Sequence, residues 1–234
     1  DELFPAGYQG VNPNRGIEGS LIDVDPAALE SRMRDYFSTR SFESFRRDHP
    51  VVCEPRARYE PETVRDLLRR SSRFQADRIV PYLLFPLDLR FIYYETEGKL
   101  LNERRQELWD NLEKNEFLLA VPQPRRVSEA RPLLATTLFD LHLHDRGSVG
   151  FPAEVRRAAE GGDLFSAGRE RGPTVEANLH PALWEALKSA WGLRGGRDGT
   201  AARKLVRSLF RAVLAITHAP QYEADHKDAL AQDW

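Results

Sequence analysis

The feature that most constrains the fold is the block of residues 78–94, RIVPYLLFPLDLRFIYY. Its last six residues are mostly aromatic or β-branched, which favours a strand over a helix. Apolar runs at 117–121 and 133–143 predict further strands. The middle of the chain is therefore predicted to form a β-rich core.

Helical patterns lie on both sides of this core. Asp25-Pro26 and Glu60-Pro61 place a proline at the first position of a helix, so we expect a helix to begin after each. Three more helices are expected at 102–114, 181–191 and 200–217. In the helix after Pro61, three apolar residues are expected to be buried and three arginines exposed. These are Val64, Leu67 and Leu68, and Arg65, Arg69 and Arg73, respectively.

The order of these elements predicts an α+β fold, a mixed β-sheet flanked by helices with a C-terminal helical segment. Residues 1–76 are expected to form a mainly helical connecting segment, 77–175 the β-rich core and 176–234 the C-terminal helical segment. The Gly-rich and charge-rich residues 153–173 are expected to be a mobile loop.

Charge and composition limit the function classes. The net charge of −2 does not by itself indicate nucleic-acid binding, but residues 194–211 carry six basic side chains against Asp198 alone. Such a local patch can bind phosphate on a slightly acidic protein. The single cysteine, Cys53, excludes an internal disulfide and favours a reducing compartment, which we expect to be the cytoplasm. No apolar run approaches the ~20 residues that a membrane-spanning helix needs.

Two separated motifs resemble a known family. Residues 78–94, followed by LLNERRQE at 100–107, resemble the start of the C-terminal target recognition region of type ISP and related restriction-modification DNA methyltransferases. Residues 209–223, LFRAVLAITHAPQYE, are similar to the closing helix of that region. Leu87 stands where the family usually has Phe, and Glu103 where it often has Arg. The family's closing P-R-I-P is absent, so the chain is expected to be a piece of a longer protein.

The resemblance implies a bacterial adenine-specific DNA methyltransferase of a restriction-modification or phage-defence system as the parent protein. It implies that S-adenosylmethionine binds a separate methyltransferase domain, in the same or an associated chain, and that this region binds double-stranded DNA. Defence-system subunits are possible further partners. The alternative is a protein-interaction or structural module that couples such a methyltransferase to partner subunits.

The chain itself lacks the motifs of catalysis. An adenine methyltransferase needs an N-P-P-[YF]-like loop for the flipped base and a Gly-rich turn for the cofactor. The nearest string, residues 12–15 (NPNR), lacks the second proline and the aromatic residue. We therefore predict no catalytic, cofactor-binding or metal-binding residue in this chain.

Residues 121–126, VPQPRR, are the first candidate for DNA reading. Arginine can bond guanine through O6 and N7, and glutamine can bond adenine in the same bidentate way. The alternative is a solvated loop. In residues 140–146, DLHLHDR, a strand would place Asp140, His142 and His144 on one face. That face could be a metal site, a DNA-facing strand end with Arg146 and Ser148, or a pair of structural histidines.

The last helix carries four basic residues opposite an apolar stripe. The stripe is expected to contain Leu205, Leu209, Val213 and Ile216. The basic face is either solvated or in contact with DNA phosphates. Arg90 is instead expected to form a structural ion pair, with Asp88 as one possible partner. The predicted DNA-binding residues are Gln123, Arg125, Arg126, His142, His144, Arg146, Ser148, Arg203, Lys204, Arg207 and Arg211.

Overall fold

A computed structural model describes residues 3–15, 18–120, 131–144, 147–157, 174–222 and 224–226. The helices are α1 Pro26–Phe37, α2 Phe42–Asp48, α3 Pro61–Ser71, α4 Gln106–Asp110, α5 Pro181–Trp191 and α6 Thr200–Thr217. The strands are β1 Tyr8–Gln9, β2 Ile22–Asp23, β3 Ile79–Phe85, β4 Asp88–Tyr93, β5 Phe117–Ala120, β6 Leu133–Ala135, β7 Leu138–Phe139, β8 Val149–Pro152, β9 Glu154–Arg157 and β10 Thr174–Ala177. Short 3₁₀ turns occupy Val51–Cys53 and Ala76–Arg78. The predicted α+β class is confirmed.

The chain folds into two compact units, each assembled from segments that are distant in sequence. The central unit comprises residues 10–106 and 137–146, and the terminal unit comprises residues 1–9, 107–136 and 147–234. Neither unit coincides with one of the three predicted segments, 1–76, 77–175 and 176–234. The division of the chain into those three functional segments stays a prediction. Among the described helices, none combines the length and the apolar character that crossing a bilayer requires.

The central unit contains a four-stranded sheet in the order β2-β4-β3-β7. β4 pairs antiparallel with β2 and β3, while β7 runs parallel to β3. The block that resembles the family thus forms the β3–β4 hairpin. α1 packs against this sheet and against α3. The buried Leu29 and Met33 of α1 and Ile92 and Tyr93 of β4 belong to the core of this unit.

The helix α1 begins where the sequence predicts. The carboxylate of Asp25 accepts a hydrogen bond from the backbone N–H of Ala27 at 2.9 Å, and Pro26 occupies the first turn. This arrangement satisfies a donor that the start of a helix otherwise leaves without a partner.

The orientation predicted for α3 is wrong at two positions. Arg65 is fully buried, whereas Leu67 is 52% exposed. The guanidinium of Arg65 lies 4.7 Å from the ring centroid of Phe45. Its Nε donates to the carbonyl of Tyr36 at 2.8 Å, and its Nη2 donates to the carbonyl of Arg40 at 3.0 Å. Arg65 therefore points inward because it bonds carbonyls at and just beyond the end of α1, which would otherwise lack donors.

The terminal unit contains an antiparallel sheet in the order β1-β8-β5-β6, the β9–β10 hairpin, α5 and α6. Its core joins all these parts. The core residues are Phe4, Leu118, Ala153, Ala177, Leu179, Trp184, Ala202, Val206 and Phe210. The expected apolar stripe of α6 is confirmed at Leu205, Leu209 and Val213, which pack partly buried against this core, and is wrong at Ile216, which is 54% exposed. The centre of the buried face is formed by Val206 and Phe210, which are fully buried.

Three further expectations need correction. The helix expected at 102–114 is only α4, five residues long. The run 133–143 divides into the short strands β6 and β7, and a turn follows Phe139 instead of a continued strand. Residues 154–157 of the expected mobile loop form β9, which pairs with β10. The remainder of that expectation, residues 158–173, lies outside the described residues.

Candidate nucleic-acid interface

One end of the four-stranded sheet in the terminal unit adjoins, along the chain, the predicted reading residues 121–126 and Ser148. Val149, at the start of β8, is paired with Ala120 at the end of β5 and with Gln9 of β1. On the other side of β5, Leu119 is paired with Leu133, where β6 begins. We call the row Gln9, Val149, Ala120 and Leu133 the sheet end. Residues 121–126 follow Ala120 directly, and Ser148 directly precedes Val149.

The residues that would read bases can be placed only in part. Gln123, Arg125, Arg126 and Arg146 lie outside the described residues. Ser148 is described and is fully buried. Its hydroxyl would have to become exposed before it could contact a base, so its role in DNA binding stays a prediction.

The two histidines belong to the central unit, and the strand that would align them with Asp140 does not form. β7 ends at Phe139, and residues 141–144 make a turn. His142 is exposed, whereas His144 is 8% exposed. Within the described residues, no group of three potential metal ligands comes together. DNA contact by His142 and His144 stays a prediction, and His142 is the more accessible of the two.

Asp140 shapes the turn that replaces this strand. Its carboxylate accepts hydrogen bonds from the Tyr82 hydroxyl and from the backbone N–H of His142, the latter at 2.6 Å. Burial raises the pKa of Asp140 above its ordinary value, although both hydrogen bonds act in the opposite direction. Gly10 packs so closely that an added Cβ would lie 2.6 Å from the Asp140 carbonyl oxygen. Sequence reasoning missed this pairing because Tyr82 and Asp140 are 58 positions apart.

The arginines on α6 have partners within the terminal unit. We call Arg203, Arg207 and Arg211 the arginine ladder. Glu154 lies 3.6 Å from Arg203 and 2.6 Å from Arg207. Glu116 lies 3.5 Å from Arg207 and 3.2 Å from Arg211. Two carboxylates thus face three guanidinium groups.

A buried asparagine holds these two glutamates in place. The side-chain oxygen of Asn115 accepts from the backbone N–H groups of Glu116 at 3.0 Å and Glu154 at 3.1 Å. Its amide nitrogen donates to the Glu154 carbonyl at 2.7 Å. Lys204 is exposed and makes no ion pair with any described residue. Phosphate contact by this face stays a prediction, and a phosphate would compete with Glu116 and Glu154 for the ladder.

The prediction for Arg90 is confirmed. Its Nε donates to both carboxylate oxygens of Asp88, at 3.0 and 3.1 Å, and Glu18 lies 3.8 Å from its Nη1. Arg90 and Asp88 lie two residues apart on the same strand, β4, so the ion pair is local to that strand. Arg90 is therefore a structural residue of the hairpin.

Comparison with known proteins places this fold in a family. The chain matches the family model of the Type ISP C-terminal specificity domain over residues 2–234. Comparison with curated protein sequences finds no significant match.

Three solved structures share the fold, each with 99% of this chain covered. They are the ATP-dependent Type ISP restriction-modification enzyme LlaBIII bound to DNA (TM-score 0.57, 16% identity), the DrdV–DNA complex (0.59, 15%) and a nuclease-deletion mutant of the Type ISP enzyme LlaGI with a DNA substrate mimic (0.54, 14%). The chain spans 14%, 21% and 20% of their respective lengths. Because the family model covers nearly every residue, this chain belongs to the Type ISP C-terminal specificity domain family.

Proposed function

We propose that this chain selects the DNA sequence on which a larger restriction-modification enzyme acts. The observation that carries the proposal is the match of residues 2–234 to a specificity domain. The shared fold supports it, because each of the three similar structures is a complex with DNA or with a DNA substrate mimic. A domain of this kind recognises a site and leaves the chemistry to other parts of the enzyme.

The sheet end of the terminal unit is the proposed location of base reading. Strands give a rigid base for side chains that must meet base edges with defined geometry. Residues 121–126 and Ser148 adjoin paired strand ends at Ala120 and Val149. Gln123, Arg125 and Arg126 supply the donors and acceptors that suit purine edges in the major groove.

The parent protein is proposed to be a cytoplasmic, adenine-specific DNA methyltransferase of a restriction-modification or phage-defence system. This step rests on the resemblance of residues 78–94 and 209–223 to that group. S-adenosylmethionine would bind the separate methyltransferase domain, and defence-system subunits would be further partners. The sequence upstream of Asp1 in the full gene product tests this proposal. An N-P-P-[YF] loop and a Gly-rich cofactor turn are expected there or in an associated chain, and their absence from both would contradict it.

Activity of the isolated chain gives a complementary test. Incubation with labelled S-adenosylmethionine and duplex DNA of mixed sequence should transfer no methyl group. Transfer above the blank would overturn the assignment of catalysis to another domain. It would direct attention to residues 12–15.

DNA binding is tested by fluorescence anisotropy with labelled duplexes at several salt concentrations. The logarithm of the binding constant should fall linearly with the logarithm of the salt concentration, by about 0.9 per phosphate contacted. Absence of binding even at low salt would contradict the proposed function.

One observation favours the alternative function, a contact with a protein partner. The tip of the β3–β4 hairpin exposes three apolar side chains, with Leu87 94%, Leu89 57% and Phe85 53% exposed. Leu87 also has a φ of +66°, a conformation that turns usually give to glycine or asparagine. Exposed apolar patches often mark interaction sites.

Leu87→Gly tests this alternative, because glycine fits the backbone while removing the apolar side chain. The stability of the chain should be kept or slightly increased, and binding to the remainder of the parent protein should weaken. Leu67→Gly is unsuitable as a control because glycine destabilises helix interiors. Leu67→Ala, which removes another exposed leucine, should leave that binding unchanged. Unchanged binding in Leu87→Gly would remove the support for a partner at this tip.

A further inference from the structure

Among the described residues, a cavity of about 200 Å³ in the central unit is lined by basic side chains and by no acidic one. Three separate segments contribute to it, residues 14–15, 57–59 and 98–104. We call it the cationic pocket. Its basic residues are Arg15, Arg58, Lys99 and Arg104, and its amide side chains are Asn14 and Asn102.

The positive charge of the pocket is not neutralised by the described residues. None of its four cations forms an ion pair with a carboxylate of the described part of the chain. Three nearby carboxylates are bound by other arginines: Glu54 by Arg56, Glu95 by Arg78 and Glu103 by Arg105. Glu60 and Glu97 adjoin lining residues in sequence, but they are exposed and do not line the cavity.

Arg15 is the most informative of the lining residues. It is only 6% exposed, and its guanidinium carbon lies 3.4 Å from the ring centroid of Tyr59. Nη1 donates to the carbonyl of Leu100, but Nε is buried and has no hydrogen-bond partner in the described part of the chain. Burial lowers the pKa of the Arg15 guanidinium below its ordinary value. A buried cation without a carboxylate partner is unfavourable, and an anion in the pocket would compensate its charge.

The position of Arg58 is not explained by the fold. It lies in a tight turn closed by mutual backbone hydrogen bonds between Arg56 and Tyr59, at 3.2 and 3.0 Å. Its φ is +66°, for which glycine or asparagine is the usual choice. The side chain is exposed beside the pocket, so its charge is available to a ligand.

We propose that the cationic pocket binds a phosphate group, with Arg58, Lys99 and Arg104 supplying accessible charge and the Arg15 guanidinium forming part of the wall. Arginine is well suited to phosphate, because its planar donors match the phosphate oxygens. The cavity is several times the ~30 Å³ that one water occupies in the liquid. It is below the roughly 300–1,000 Å³ of sites for drug-sized ligands. A single anionic group therefore fits better than a whole nucleotide.

The phosphate group has two possible sources. It is either a backbone phosphate of bound DNA, which rests on the proposed function, or a free phosphate compound, which does not. The experiment has one arm for each source.

The first arm uses inorganic phosphate as the probe and the ¹⁵N–¹H signal of Arg15 Nε as the readout. A saturable shift is expected in the unmodified chain. The double variant Arg58→Gly/Lys99→Gln should weaken phosphate binding by roughly tenfold. Glycine suits the turn at position 58, and Lys99 is exposed, so the variant keeps the fold. Arg46→Gln/Arg47→Gln removes the same charge from exposed positions on α2 and should change binding by less than about twofold.

The second arm replaces inorganic phosphate with duplex DNA. If a backbone phosphate is the ligand, the duplex should shift the Arg15 Nε signal and prevent inorganic phosphate from shifting it further. If phosphate shifts the signal and the duplex leaves it unchanged, the ligand is a free phosphate compound. No shift with either probe, or equal weakening in the α2 control, overturns the proposal. A chain that binds phosphate but no DNA contradicts the proposed function alone.

Discussion

In the central unit, Arg15, Arg32 and Arg65 are buried, and each donates to backbone carbonyls. In the terminal unit, the arginine ladder of α6 lies at the surface and pairs with Glu116 and Glu154. The same residue type thus stabilises the interior of one unit and the surface of the other. Helical spacing alone does not distinguish the two roles, because Arg65 on α3 also occupies a regular helix.

The difference sets the expected size of mutational effects. Removing a partner from a buried charge leaves an uncompensated group in a medium of low polarity. Removing a partner from an exposed pair leaves a group that water can solvate. Substitutions that break the contacts of buried charges in the central unit should therefore cost several times more stability than those in the ladder.

The largest effect is expected at the ion pair between Asp23 and Arg32, whose side chains are 6% and 9% exposed. Asp23→Asn leaves the Arg32 charge buried without its carboxylate and should lower the free energy of unfolding by about 3–5 kcal/mol. Urea unfolding near neutral pH measures the loss. A loss below about 1 kcal/mol, the range of exposed pairs, would contradict the comparison.

The same pair gives a pH dependence with a definite sign. Burial alone would raise the pKa of Asp23. Hydrogen bonds from Arg32 and from the backbone N–H of Asp25, together with the positive charge of Arg32, outweigh burial and lower this pKa below 3.8. The stabilisation is therefore fully present above pH 3.8 and is lost as the pH falls through the folded-state pKa. The stability difference between the unmodified chain and Asp23→Asn should shrink only in that acidic range.

The next largest effect is expected at Arg65. Arg65→Met keeps much of the side-chain volume but removes the donors to the carbonyls of Tyr36 and Arg40, and should cost about 2–4 kcal/mol. Arg69→Met on the same helix is the control, since Arg69 lies 3.9 Å from Asp66 in a partly exposed pair and should cost less than about 1 kcal/mol. Equal losses would contradict the distinction between buried and exposed arginines.

The rate at which the Cys53 thiol is labelled gives a local readout of stability for Arg65→Met and for its control, Arg69→Met. It is the single cysteine of the chain, is 3% exposed, and burial raises the pKa of its thiol to about 11. In the folded chain the thiol should react slowly near pH 8, because little thiolate is present. Arg65→Met should speed labelling about tenfold for each 1.4 kcal/mol of stability lost in the central unit.

The smallest effect on stability is expected in the ladder. Arg207→Gln should cost about 0.5 kcal/mol, and less at high salt, because the pair is partly exposed.

If the basic face also contacts phosphates, Arg207→Gln/Arg211→Gln should weaken binding to every DNA sequence alike and flatten the salt slope by roughly one unit per lost contact. Lys204→Gln separates the roles, since it should affect DNA binding without affecting stability. If DNA affinity at low salt is unchanged in all these variants, the basic face does not contact DNA, and its arginines serve only the ion pairs with Glu116 and Glu154.

Local signals predicted much of the fold. The starts of α1 and α3 follow from Asp25-Pro26 and Glu60-Pro61, and α5 and α6 have the predicted bounds. Expectations failed where a distant partner decides the structure. Arg65 points inward because of a carbonyl 29 positions away, and Asp140 is held by Tyr82, 58 positions away.

The candidate site shows the same limit. The strand ends at Ala120 and Val149 lie side by side, as expected of a reading edge, yet the sequence gives no sign that they are paired neighbours. The cationic pocket joins residues near positions 15, 58 and 100, so no single sequence window contains it. In the sequence its basic residues are individually ordinary, and only the structure brings them to one cavity.

The most direct test of the central claim is selection of bound sequences from a pool of random duplexes by the 234-residue chain at fixed salt. The account predicts enrichment of one motif, with each wrong base pair costing about 1–3 kcal/mol. Arg125→Ala or Arg126→Ala should relax the preference at one base pair of that motif. Recovery of all sequences at their starting frequencies, despite measurable binding, would contradict the claim that this chain chooses the DNA target.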